Sequence, residues 1–153
     1  MRLALAVRWI FILTASYLLL LLGMSERGLV SADEPRYAEI AREMAISGDW
    51  VTPRLEGKPW FEKPALLYWM GAVTYSLGLQ DDRATRLPVA LVTLCFLIYF
   101  HWQLVRNFGL RAADYATLIL ATSGGWVVFG QVGVFDMPLA ASLGAALLVL
   151  LPY

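Results

Sequence analysis

The sequence predicts an all-α membrane protein built from several helical spans. Three observations carry that prediction. The 153 residues are 59% hydrophobic and only 16% charged, against about 45–50% and about 25% in soluble domains. The apolar residues fall in long runs. The charges collect mainly in one segment, between the first two of those runs. Formal net charge is zero, from 12 basic and 12 acidic residues, so the basic surplus that nucleic-acid binding needs is missing.

The first run covers residues 9–23, with Arg2 and Arg8 ahead of it. If Arg8 snorkels to the interface, residues 3–23 supply the roughly 20 residues a helical span needs. A cleaved signal peptide is the rival reading, because Val30-Ser31-Ala32 offers a small-residue cleavage site. Glu26 and Arg27 separate that site from the apolar run, and further spans follow, which favours a retained helix.

Residues 24–86 form a long polar segment. Pro35 suits the first turn of a helix, which runs to about Ile46, with Gly48 as its C′ residue. Tyr37, Ile40, Ala41 and Met44 make one apolar stripe. Arg36, Glu39, Arg42 and Glu43 make the opposite face, with Arg36–Glu39 and Glu39–Arg42 spaced to pair. That face reads as solvated, and the helix as one lying on a membrane surface. From Asp49 to Lys63 the pattern is loop-like, broken by Pro53, Gly57 and Pro59. Trp50, Trp60 and Phe61 suit an interface. Pro64 opens a second helix to about Leu77, too short to span and read as interfacial. Asp81, Asp82, Arg83 and Arg86 close the segment with charge.

Residues 87–105 are a second clear span. Its one cysteine, Cys95, reads as a small buried hydrophobe. Arg106 to Arg111 is a tight basic turn. Residues 112–130 form a third span, with Gly124-Gly125 as a packing or bending point. Residues 138–153 begin a fourth. The whole, 1–153, is expected to be the N-terminal part of one transmembrane domain.

Orientation rests on the short basic sites. Segment 24–86 holds eight Lys and Arg residues but ten acidic ones, and the positive-inside rule weakens beyond about 60 residues. Arg2 and Arg8, with Arg106 and Arg111, are the better guides and fall in the cytoplasm. Segment 24–86 and the Gln131–Asp136 exit then share the outer face, where Asp33, Lys63 and Asp136 can meet.

Each of these residues has a plain role and a chemical one. Asp33 and Glu34 complement a helix dipole; Asp33 can also take a proton from an acceptor hydroxyl, or orient it. Lys63, between Glu62 and Pro64, is a snorkelling lysine or a point charge for a lipid-linked phosphate. Arg54 and Lys58 add phosphate contacts or are solvated. Asp136 caps the fourth helix with Pro138 near its start, or serves as an ionisable group at a span boundary. His101 has no partner at ligand spacing, so no metal site is expected there. No phosphate loop, zinc motif or nucleophile elbow is present.

Three motifs in series carry a resemblance: Asp33-Glu34-Pro35-Arg36-Tyr37-Ala38-Glu39, Gly48-Asp49-Trp50-Val51-Thr52-Pro53-Arg54-Leu55, and Phe61-Glu62-Lys63-Pro64-Ala65-Leu66-Leu67-Tyr68-Trp69. They resemble the bacterial branch of the protein O-mannosyltransferase superfamily, nearest to its lipid A aminoarabinose transferases. Arg83-Ala84-Thr85-Arg86-Leu87-Pro88 and Phe135-Asp136-Met137 look like it too.

The resemblance implies a type C glycosyltransferase in the bacterial inner membrane. Its donor is a polyprenyl-phosphate sugar and its acceptor a lipid or protein on the periplasmic side. Asp33 matches the catalytic aspartate and Asp136 a second aspartate. Glu62 and Lys63 match a Glu-Lys pair near the lipid phosphate, and Glu34 and Arg54 join the expected substrate-binding set. In some members the glutamate of that pair helps hold zinc with a distant histidine, which would lie beyond residue 153. A divalent metal is therefore an expectation for a full-length enzyme only. The members are several hundred residues long, so a truncated, non-catalytic membrane protein is the alternative reading.

Overall fold

A computed structural model of the chain describes residues 14, 16, 20–30, 32–80 and 82–151. Most of the first expected span, the proposed cleavage position Ser31 and the last two residues of the fourth run lie outside the described residues.

Helix α1, Asp33–Ser47, forms where the apolar stripe requires it. Tyr37, Ile40, Ala41 and Met44 are all buried, as a 3.6-residue period dictates. The cap residue Ala32 makes no side-chain capping bond, but Asp33 and Glu34 occupy the first turn, where negative charge complements the positive end of the helix dipole. Gly48 ends it in the left-handed region, φ 71°, and its N–H donates to the Met44 carbonyl at 3.1 Å.

The expected loop 49–63 contains a short hairpin. Strands β1, Arg54–Leu55, and β2, Lys58–Pro59, pair antiparallel. Glu56 and Gly57 form the turn, both at positive φ (53° and 75°), as a two-residue type I′ connection demands. Glu43 accepts the Gly57 N–H at 3.1 Å, so it anchors the hairpin rather than being one of a row of solvated charges.

Helix α2, Leu66–Ser76, lies along α1. Their backbones approach closely at Gly71, where a Cβ would come within 2.8 Å of the Ala41 Cβ. The Thr74 hydroxyl donates to the Ala84 carbonyl and so ties α2 to the next helix.

That helix, α3, Asp82–Phe108, is the central post. Its 27 residues extend about 40 Å at 1.5 Å per residue. Among the described residues it is the one helix long and apolar enough to cross a membrane. Cys95 is exposed on it, contrary to expectation: its helix position points outward, while its neighbour Phe96 turns inward against Gly144.

Helices α4, Leu110–Thr122, and α5, Gly124–Gly130, replace the straight third run. They bend by 62° at Ser123, whose backbone is extended. His101 on α3 meets Thr117 on α4 at 3.1 Å and Asp114 at 3.9 Å, partners that sequence spacing did not reveal.

Helix α6, Asp136–Val149, packs back on α3. Asp136 is its first residue and makes no capping hydrogen bond, because Phe135 occupies the cap position. The expected N-cap role therefore falls away.

Candidate active site

Three stretches of chain converge on one cleft of about 510 Å³. The start of α1 contributes Asp33 and Tyr37, the approach to α2 and its first turn contribute Lys63 and Leu67, and the cap and first residue of α6 contribute Phe135 and Asp136. The three charged residues singled out from sequence thus line the same space.

Its base is aromatic. Phe135 packs edge-on against Tyr37, with ring centroids 5.0 Å apart, and against Tyr68 at 5.5 Å. Such edge-to-face pairs add about 0.5–1.5 kcal/mol beyond area burial. Burial pushes the Tyr37 phenol up, and the nearby Asp33 carboxylate adds to the shift. Tyr68 is fully buried and pushed up to about 12, again chiefly by desolvation. Tyr37 and Phe135 thus give the cleft an aromatic floor beside its charged residues, with Tyr68 packed behind them.

Arg36 organises the rim. Its Nη1 lies 3.5 Å from Asp33 Oδ1 and donates to Glu62 Oε2 at 3.3 Å. Its guanidinium lies over the Trp60 ring, 5.5 Å from the centroid. The expected Arg36–Glu39 pair is absent from the ion pairs of the described residues. Glu39 is instead engaged through both oxygens by Arg42, at 2.6 and 2.8 Å. That leaves Arg36 facing the negative pair Asp33 and Glu62. The hydrogen bonds from Arg42 also hold the Glu39 carboxyl below its ordinary range.

Two expected substrate-binding residues stand elsewhere. Arg54 is on the hairpin, with its Nη2 3.5 Å from Asp49 Oδ2 and its Nη1 near the Gly57 carbonyl. Glu34 is 0% exposed and points away from the cleft. Its Oε1 accepts from Arg86 Nε and from the Gly133 N–H, both at 2.7 Å. Its Oε2 accepts from Arg86 Nη2 at 2.8 Å and from the Val30 N–H at 2.6 Å. Burial alone would raise the Glu34 carboxyl, but the Arg86 guanidinium and the two backbone N–H groups outweigh it and hold the group below its usual range. A carboxylate so fully engaged cannot also receive a ligand.

Arg86, expected at a charged boundary, is buried, at 2% exposure. It also donates to the carbonyls of Met24 (2.5 Å), Arg27 (2.7 Å) and Gly28 (3.0 Å).

Among the described residues no group of three His, Cys, Asp or Glu side chains could hold a metal ion. Glu62 is turned to Arg36.

No protein-family model matches the chain. Sequence comparison finds the undecaprenyl phosphate-alpha-4-amino-4-deoxy-L-arabinose arabinosyl transferases. The Aeromonas hydrophila protein is 35% identical over 83% of this chain and 23% of its own length. That of Serratia proteamaculans is 34% identical over 94% of this chain and 26% of its own. Among solved structures, ArnT from Cupriavidus metallidurans bound to undecaprenyl phosphate has a TM-score of 0.85 and 37% identity. It covers 94% of this chain and 27% of its own. Its apo form gives a TM-score of 0.86.

Fold and sequence together make this chain similar to part of those membrane proteins. It is an ArnT-like chain, spanning about a quarter of the length of the curated relatives it matches.

Proposed function

We propose that this chain forms part of the active face of a membrane glycosyltransferase that moves a sugar from a polyprenyl-phosphate donor to a periplasmic acceptor, lipid A or another glycolipid. The observation that carries the reading is the convergence of Asp33, Lys63 and Asp136 on one cleft.

The reaction is an inverting displacement. An acceptor oxygen attacks the anomeric carbon, the bond from that carbon to the phosphate oxygen breaks, and polyprenyl phosphate leaves with the electron pair. Lys63 stabilises the charge that develops on the leaving phosphate. A hydroxyl acceptor gives its proton to Asp33. A phosphate acceptor arrives ionised, and Asp33 then orients it or balances charge at the sugar. The relatives' donor carries an amino sugar, whose ammonium form suits a cleft with two carboxylates, Asp33 and Asp136.

The aromatic floor supports this reading, because an apolar surface strengthens the charged contacts above it. In the same proposal the cleft opens to the periplasmic side of the inner membrane, and residues 1–153 are the N-terminal part of one transmembrane domain.

The test is transfer of a labelled sugar from a polyprenyl-phosphate donor by the membrane-embedded protein. Asp33→Asn and Lys63→Ala should each lower transfer by about 10²-fold or more, with membrane insertion intact. Near-parental transfer by either variant overturns the assignment.

A further inference from the structure

Asp33 and Glu34 are neighbours with opposite environments. Successive helix residues project about 100° apart, so Asp33 opens on the cleft while Glu34 turns into the core. The position of Glu34 therefore sets the rotation of α1 about its axis, and with it the aim of Asp33. The same Glu34 Oε1 that accepts from Arg86 also accepts the Gly133 N–H at 2.7 Å. Gly133 is three residues before Asp136, on the opposite wall.

We propose that Glu34 and Arg86 are positioning residues: one buried ion pair fixes Asp33 and Asp136 relative to each other across the cleft.

The surroundings leave little slack. A Cβ at Gly133 would lie 3.0 Å from Thr85 Cβ and 3.4 Å from Glu34 Oε1, so a side chain there would crowd Thr85 beside the pair. Arg86 adds three backbone carbonyls from residues 24–28 and Asp82 Oδ2 at 3.5 Å. The fork of Arg86 is needed for this, since a lysine cannot serve a two-oxygen carboxylate and three carbonyls at once. The catalytic consequence rests on the function proposed above; the geometric one does not.

The experiment uses the membrane-embedded protein with Cys95→Ser, Asp33→Cys and Asp136→Cys. A short bifunctional thiol reagent reports the separation of the two positions in folded molecules. Glu34→Gln keeps the size of the side chain but removes the counter-charge, Arg86→Lys keeps the charge but removes the fork, and Gly133→Ala disturbs the loop without touching charge. Each should lower the cross-link yield per folded molecule at least several-fold.

In the parent bearing both aspartates, Arg86→Lys and Gly133→Ala should lower kcat by about 10-fold or more, with KM for the donor changed by less than about 2-fold. If Glu34→Gln does not fold, the other two variants carry the test. Folded Arg86→Lys and Gly133→Ala proteins that cross-link and turn over like the parent overturn the proposal and leave the pair a purely structural one. A lost cross-link in a protein whose parent transfers no sugar upholds the positioning and refutes the transferase reading alone.

Discussion

At the residue scale, the proposed function divides the residues around the cleft into groups that meet a ligand and groups that hold others in place. That Asp33, Lys63 and Asp136 line one cleft was legible, because each is an ionisable residue set beside an apolar run. Glu34 and Arg86 were not, because their partnership joins positions 52 residues apart, and the Gly133 contact spans 99. A signal existed all the same: carried back one turn, the buried stripe of Tyr37, Ala41 and Met44 includes position 34. Removing one partner of a buried pair strands the other, so Glu34→Ala should destabilise the protein by about 3–5 kcal/mol. The pH dependence follows from the depressed Glu34 carboxyl. Its stabilisation is present above the ordinary glutamate range and is lost as pH falls through the lower folded-state value. Thermal midpoints measured across the acid range should drop there in the parent, and Glu34→Gln should flatten that drop. Tyr68 gives the opposite limb. Its phenol is raised to about 12, so its contribution falls as pH rises from the ordinary tyrosine range, about 10, towards that value. Its buried hydroxyl has no hydrogen-bond partner among the described residues, so Tyr68→Phe should leave the midpoint at neutral pH unchanged or higher and reduce the alkaline slope, leaving the share of Tyr37.

At the element scale, α1 and α2 were legible because proline, glycine and a 3.6-residue stripe bracket them, and both ends fell within a residue or two of expectation. The hairpin was missed, because four strand residues give too short a period to read and two prolines argued for a loop. Its turn chemistry, Glu56-Gly57, was the one available sign. The break between α4 and α5 was half legible. The glycine pair marked a bend, but the extended Ser123 that makes it does not show in composition. The close α1–α2 approach yields a packing test. Gly71→Ala places a methyl 2.8 Å from the Ala41 Cβ, a clash between two rigid backbones, and overpacking of that kind costs about 1–3 kcal/mol. Denaturation of the purified variant should show that loss, and Ala41→Gly in the same chain should recover most of it. Unchanged stability of Gly71→Ala would mean that the two helices are not in this contact.

At the scale of the whole molecule, α3 is the post on which the cleft is assembled: α2, α4 and α6 all pack on it. Composition made the membrane class plain, since long apolar runs need no tertiary information to be read. What composition does not carry is the folding of two distant polar stretches onto one cleft; that arises from the α3 to α6 return. The proposed topology puts the hairpin outside the inner membrane. A cysteine introduced by Lys58→Cys in a Cys95→Ser background should react with an impermeant thiol reagent while that membrane is sealed. Reaction only after it is opened reverses the orientation. The central claim is that the cleft receives a polyprenyl phosphate at Lys63, and binding of that lipid without its sugar tests it most directly. Lys63→Ala should weaken affinity by about 10-fold or more, the order expected for a charge-assisted phosphate contact. Asp33→Asn removes a like charge from the same cleft and should bind at least as tightly as the parent. Equal affinity for the parent and Lys63→Ala, or a large loss in Asp33→Asn alone, would contradict the account.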